Sequence, residues 1–353
     1  MPRELKFFQA VHEALDLCME KDPCVYTMGL GVPDPKGIFG TTLALVEKYG
    51  PQRVLDMPVS ESAMTGVALG SALVGMRPVL THQRLDFALY SMDQIVNHAA
   101  KWHYMFAGKT RVPLVIRMIV GRGWGQGAQH SQSLQAWFAH VPGLKVVMPA
   151  TAHDAKGLLI TSIEDDNPVI FIEHRWLYNI SGHVPEGIYR VPLGKAKVVR
   201  EGKDLTMVTT SYMTLEAVRS AKMLAEQGVS TEIIDVRSLQ PLDKDVILKS
   251  VTKTGRLIVA DTSWKTLGFS AEVVALAAEE VFADLKHPPV RIGLPACPTP
   301  ATPALANHYY PRAAHLAAAA FKMLGLNDRE SLNLQEVSAV PLDIPDLNFK
   351  GPF

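Results

Sequence analysis

Cysteine is scarce in this chain: three among 353 residues, Cys18, Cys24 and Cys297, with no CxxC pair. Three thiols cannot make an even disulfide framework, so reduced, buried cysteines in a reducing compartment are expected. No apolar run reaches the roughly 18 residues that a membrane-spanning helix needs, so no membrane partner is expected. The opening stretch, MPRELKFFQAVHEALDL, carries Glu and Asp in an amphipathic helical pattern. That is neither a secretory signal nor an acid-poor transit peptide, which makes the cytoplasm the expected location. Net charge is missing too: 35 Lys+Arg balance 35 Asp+Glu, and no basic stripe argues for nucleic acid. Three catalytic signatures are also absent. There is no HExxH or paired histidine spacing for zinc and no GxSxG elbow for a hydrolase. After the first strand comes GLGVPDPKG, not the GxGxxG of a Rossmann fold.

What is present is a globular composition, 48% apolar and 20% charged, in a chain long enough for two domains. Short apolar runs alternate with helical periodicities, which argues for α/β domains with parallel sheets covered on both faces. Strands are expected at 24–30, 53–57, 77–82, 112–120, 144–150 and 168–174. The helices between them are expected at 5–19, 41–49, 62–75, 92–108 and 153–163. The rhythm breaks over Asn179–Lys203, rich in Pro, Gly and charge. This divides the chain into a first domain over 1–185, a linker over 186–203 and a smaller α/β domain over 204–326. The tail 327–353 has little periodicity and reads as an arm laid on another surface or left mobile. No internal repeat is visible.

The stretch Arg53–Asn97 carries the strongest functional pattern. Glu61 opens a helix at the carboxyl end of one strand, and Phe87 leaves the next strand at the same edge, where open parallel sheets bind ligands. A carboxylate beside an aromatic face suits a flat nitrogen heterocycle. On position alone Glu61 reads more readily as a first-turn acid favoured by the helix dipole, and Phe87 as core. The loop GRGWGQGAQHSQS (121–133) exposes backbone N–H groups that could cradle a phosphate, yet matches no phosphate-binding motif. His130 on that loop is better placed for acid–base work than a histidine on a helix face. Asp165, Asp166 and Asn167 form a turn before a strand, readable as plain turn chemistry or as a cation site.

Taken together, RVLDMPVSESAMTGVALGSALVGMRPV, LDFALYSMDQIVNHAAKWHYM, GAQHSQS, WFAHVPGLKVVMPATAHDAKGLL, VPLGKAKVVREGKDLT and IIDVRSLQPLD resemble one family. It is the beta subunit of the thiamin-diphosphate-dependent 2-oxo acid dehydrogenases of the pyruvate, branched-chain and acetoin types. The likeness runs from about Leu5 to Leu324. It implies a transketolase-like pyrimidine-binding domain followed by a transketolase C-terminal domain. By position it implies that Glu61 hydrogen-bonds the cofactor's pyrimidine ring, promoting proton loss from the thiazolium carbon. It implies further that Phe87 stacks on that ring, that Val59 and Tyr90 contact the cofactor, and that His130 faces the substrate. Leu114, Asp165 and Asn167 fall where some members hold a structural potassium ion. The family's magnesium–diphosphate motif, GDG with a later Asn, is missing from the sequence. The resemblance therefore implies that a partner alpha subunit holds Mg2+ and the diphosphate, in an alpha-two-beta-two heterotetramer.

Several positions depart from the family pattern. Gly40 stands where Arg is usual, RMIVG replaces RxPxG, and Asp261-Thr262 replace a common His-Glu. His82 and Arg84 put basic side chains beside the cofactor position. They are expected to bind a substrate phosphate or carboxylate. These departures bear on substrate and acceptor rather than on thiamin chemistry. The expected activity is decarboxylation of a 2-oxo acid with acyl transfer to a lipoyl carrier, docked on an acyltransferase core. The alternative is a split transketolase-like enzyme with a non-lipoyl acceptor. A non-catalytic scaffold would have no need of Glu61.

Overall fold

The computed structural model of the chain describes residues 3–122, 125–326 and 342–345. Its strands, in chain order, are β1 (Glu4–Lys6), β2 (Val25–Met28), β3 (Val54–Leu55), β4 (Arg77–His82), β5 (Val115–Val120), β6 (Lys145–Val147) and β7 (Val169–His174). They continue as β8 (Ser181–His183), β9 (Lys197–Arg200), β10 (Leu205–Thr209), β11 (Thr231–Asp235), β12 (Ser238–Gln240), β13 (Leu257–Trp264) and β14 (Val290–Leu294). The first sheet runs β12-β6-β7-β5-β4-β2-β3 and the second β14-β13-β10-β11-β9. Both are parallel except at an edge, where β12 joins β6 and β9 joins β11 antiparallel.

The central strands of the first sheet are buried along their length, except at Arg77 where β4 begins, as helices on both faces require. Alternate residues divide between two cores. Ile116, Met118 and Val120 pack with Ile170, Ile172, Ile95 and Phe138 on one face. Val115 and Ile119 pack with Val169, Phe171, Leu15 and Leu158 on the other. Arg117, between them, is fully buried yet satisfied: its guanidinium forks onto Glu173 at 2.6 and 3.0 Å and reaches Thr41 at 3.0 Å. Tyr178 Oη completes the set by donating to Glu173 at 2.6 Å.

Two expectations change in the structure. The single helix expected over 92–108 is a π-helical segment, Asp93–Ala99, and an α-helix, Ala100–Met105, and a 3₁₀ turn, Leu85–Ser91, precedes them. A π turn inserts one residue and re-phases the turns beyond it, which hydrophobic periodicity cannot register. The stretch expected as a linker, 186–203, contains β9, an edge strand of the second sheet. Conversely, β12 lies beyond that stretch in sequence but closes the edge of the first sheet, with Ser238 opposite Val147. Of the expected tail, only 342–345 lie within the described residues. There the carbonyls of Leu342, Ile344 and Pro345 accept from Arg312.

Candidate active site

The chain passes from β2 to the edge strand β3 and returns to β4 on the other side of β2. Its carboxyl edge there is the crevice in which open α/β sheets bind ligands. A cavity of about 820 Å³ lies at this edge, walled by the 34–39 loop, Gln83, Arg84, Phe87, Gln126 and His130. Phe87 sits on the 3₁₀ turn after β4, and His130 on the loop after β5. Their rings meet edge to face, with centroids 5.4 Å apart and planes at 87°.

A buried carboxylate joins these two segments. Asp86 Oδ1 accepts from the Gln132 side chain at 2.9 Å and from its backbone N–H at 3.3 Å. Burial pushes the Asp86 carboxyl above its ordinary value, while Gln132 opposes the rise. Its Oδ2 has no hydrogen-bond partner among the described residues. In the sequence Asp86 stands out only as a neighbour of Phe87, because a link across 46 residues leaves no local signal.

The His130 loop is also tied to the second sheet. Gln135 donates to Asp261 Oδ1 at 2.6 Å and to Thr262 Oγ1 at 3.1 Å, and Ser133 pairs with Thr262 at 2.9 Å. Arg122, buried on Tyr310 at 5.0 Å, donates to the Thr262 carbonyl. The family departure at Asp261-Thr262 is therefore the anchor of the loop. The loop's glycines serve close packing. A Cβ at Gly121 would lie 2.5 Å from the His130 carbonyl oxygen and 2.7 Å from Arg84 Nε. Gly125 and Gly127 adopt φ of +71° and +69°, and Gly123 lies outside the described residues.

Of the two basic residues singled out, the cavity takes one. Arg84 lines it. His82 is sealed at the end of β4, where burial pushes its imidazole down to about 4, and it does not line the cavity. Glu61 is the first residue of the helix Glu61–Leu73, half-buried, and its carboxylate has no ion-pair or hydrogen-bond partner among the described residues. That helix is fixed to the 3₁₀ turn by Thr65 Oγ1 donating to Ser91 at 2.9 Å. Val59 and Tyr90, 76% and 75% exposed, stand on the outside near its start.

Leu114, Asp165 and Asn167 lie at the opposite, amino-terminal edge of β5 and β7. Asp165 holds Lys145 Nζ at 2.5 Å through one oxygen and the two N–H groups of Asn167 at 2.9 and 3.0 Å through the other. Against the cost of burial, Lys145 and Asn167 keep this carboxyl below its ordinary value. The Leu114 carbonyl accepts from Val169 at 2.9 Å, and Arg77 takes the carbonyls of Ile163 and Asp165. Two cationic side chains already occupy the donor set, which does not fit a further monovalent ion. No metal-binding cluster of His, Cys, Asp and Glu occurs among the described residues.

The family model "Transketolase, pyrimidine binding domain" matches residues 3–181, and "Transketolase, C-terminal domain" matches 194–316. The chain is 44% identical to the acetoin:2,6-dichlorophenolindophenol oxidoreductase subunit beta of Cupriavidus necator, over 92% of this chain and 98% of that one. It belongs to the transketolase-like family of dehydrogenase beta subunits. A second member, the pyruvate dehydrogenase E1 component subunit beta-2 of Oryza sativa subsp. japonica, is 43% identical over 84% of this chain and 80% of its own. A solved structure described as a split gene transketolase, inactive beta4 tetramer, superposes with a TM-score of 0.75 at 24% identity. It covers 91% of this chain and 99% of its own, and it shows that the two-sheet arrangement is the transketolase-like fold. No helix among the described residues is long and apolar enough to cross a membrane.

Proposed function

We propose that this chain is the beta subunit of a heteromeric thiamin-diphosphate enzyme that decarboxylates a 2-oxo acid and passes the acyl unit to a lipoyl carrier. The observation that carries this reading is the meeting of Phe87 and His130 in one cavity, beside the helix that Glu61 opens. The Phe87 ring is partly open to the cavity, as a stacking platform must be, and the Glu61 carboxylate is unspent. Both fit the pyrimidine half of the cofactor. When bound, the cofactor supplies the electron sink for decarboxylation. The chain's own share is positional: Glu61 accepts a proton-bearing nitrogen, Phe87 fixes the ring plane, and His130 meets the substrate with acid–base capacity.

In this reading Mg2+ and the diphosphate belong to an alpha subunit, since the sequence has no GDG motif. The assembly is then alpha-two-beta-two, docked on an acyltransferase core. The pyrimidine-binding domain spans 1–185 and the second domain runs to 326 and includes β9, so the joining stretch is shorter than 186–203. Val59 and Tyr90 meet the cofactor or the partner from the outer side of the same helix. Potassium has no part in the proposal, because Lys145 and Arg77 fill its position. The test is Glu61→Gln in the assembled complex. Turnover should fall on the order of 10²-fold or more, as for other preorganised catalytic groups, with assembly unchanged. Undiminished turnover would remove Glu61 from the mechanism.

A further inference from the structure

Beside Phe87 and His130 the cavity wall holds a buried cation with no acid to match it. Arg84 adjoins both rings' segments: its carbonyl accepts from the Phe87 N–H at 3.1 Å, and a Cβ at Gly121 would press on Arg84 Nε and the His130 carbonyl together. Arg84 lines the cavity and is only 5% exposed. Its Nε donates to Gln126 Oε1 at 3.0 Å and its Nη1 to the Gln83 carbonyl at 2.8 Å, and both acceptors are neutral. Its Nη2 makes no hydrogen bond among the described residues and is not sealed from solvent. The nearest acid in sequence, Asp86, turns its Oδ1 to Gln132. No carboxylate lies within ion-pair distance of the guanidinium among the described residues. A second buried guanidinium, Arg175, stands nearby: the two lie 5.1 and 4.7 Å from the centroid of the same Phe39 ring. Burial first, and then the charge of Arg175, lower the basicity of Arg84. A guanidinium withdrawn from water onto neutral acceptors opposes folding, and an anion facing it from the cavity offsets that cost.

An anion that meets Arg84 lies next to Phe87 and His130, so it sits close to the atom that reacts there. In a 2-oxo acid the carboxylate is bonded directly to the reacting carbonyl carbon, and the two lie side by side. A guanidinium takes a carboxylate through paired N–H donors. A neutral acyloin carries no charge at that position and would leave the guanidinium unmatched. The carboxylate charge is present in the bound substrate and is lost as carbon dioxide departs. A contact to it therefore strengthens substrate binding without speeding the chemical step.

We propose that Arg84, with Arg175 adding positive potential beside it, binds the carboxylate bonded to the reacting carbonyl and so selects a 2-oxo acid over a neutral acyloin. This rests on the 2-oxo acid reading above. The test uses the assembled alpha–beta complex loaded with cofactor, with a dichlorophenolindophenol dye as electron acceptor. Wild type should favour 2-oxobutanoate over acetoin in kcat/KM. Arg84→Gln should raise KM for 2-oxobutanoate about tenfold or more, the scale of one charged contact, with kcat retained. Arg84→Lys should recover part of that loss. An unchanged KM, a fall in kcat at unchanged KM, or a wild-type preference for acetoin overturns the proposal. Loss of assembly by a folded Arg84→Gln chain overturns it too, by assigning the guanidinium to an acid of the alpha subunit.

A binding measurement separates the two readings. Butyrate, which has no oxo group to react, should raise the melting temperature of the wild-type complex where butyramide at matched ionic strength does not. It should fail to do so in Arg84→Gln. That pattern without turnover of any 2-oxo acid would sink the decarboxylase reading and leave the carboxylate site standing. No difference between butyrate and butyramide in wild type would sink the carboxylate site itself.

Discussion

Asp235 ends β11 fully buried, with Oδ2 unpartnered among the described residues and only the Arg237 N–H, at 3.1 Å, on Oδ1. Burial first, and then the charge of Asp154, push its carboxyl up to about 7. A raised carboxyl is protonated in the native state over a range where the unfolded chain has already ionised. Its stabilising share is therefore full below about pH 4 and is lost as pH rises through 7. Asp235→Asn should leave stability unchanged near pH 4 and raise it by roughly 2–4 kcal/mol above pH 7. Urea unfolding at the two pH values checks this, and a pH-independent effect would assign the change to packing. The sequence displayed residue types at this scale but not their company. Glu61 and Phe87 were legible because each stands next to a strand end. His82 and Arg84 looked alike on paper, yet His82 ends β4 and is sealed, while Arg84, in the loop beyond the strand, lines the cavity. Asp86, Asp261 and Gln135 act through contacts made across 46 to 126 residues, beyond the reach of any local pattern.

The strands and helices were legible where the apolar period was long and unbroken. The central strand Arg77–His82 matches its expected bounds, and the buried runs at 115–120 and 169–174 lie within theirs. Reading failed where charge disguises an edge. KVVR at β9 is half exposed and pairs on one side only, so its composition resembles a connector. The loop carrying His130 depends on the second sheet through Gln135, Ser133 and Arg122. Gln135→Ala should thus lower kcat of the complex about tenfold or more by misplacing His130. The lost donor to a buried carboxyl should also cost roughly 1–3 kcal/mol of stability. A normal kcat in that variant would mean the loop holds its position without the second sheet.

The whole molecule presents an apolar stripe around the helix Glu61–Leu73. Val59, Val67, Val74 and Tyr90 are 76, 55, 82 and 75% exposed. Exposed large apolar groups clustered on one surface mark a contact with another chain, and this one borders the helix that starts at Glu61. Val67→Asp should leave the isolated chain folded and prevent assembly with the alpha subunit, read as a loss of the larger species on gel filtration. A variant that assembles normally would move the subunit contact elsewhere. The sequence hinted at such a partner only through what it lacked, since no GDG motif stands anywhere in the chain.

The crossing of β12 to the edge of the first sheet has a mechanical consequence. β12 hydrogen-bonds to β6, and Arg237 just before it clamps Asp154 at 3.0 Å together with the carbonyls of Lys195 and Ala196. The two halves are stitched at a seam, so the peptide joining them carries none of the tension. A protease cut between residues 185 and 190 would leave two fragments that migrate as one particle in native buffer and part only in denaturant. Coexpressed as separate pieces, the halves should find each other and close the same seam.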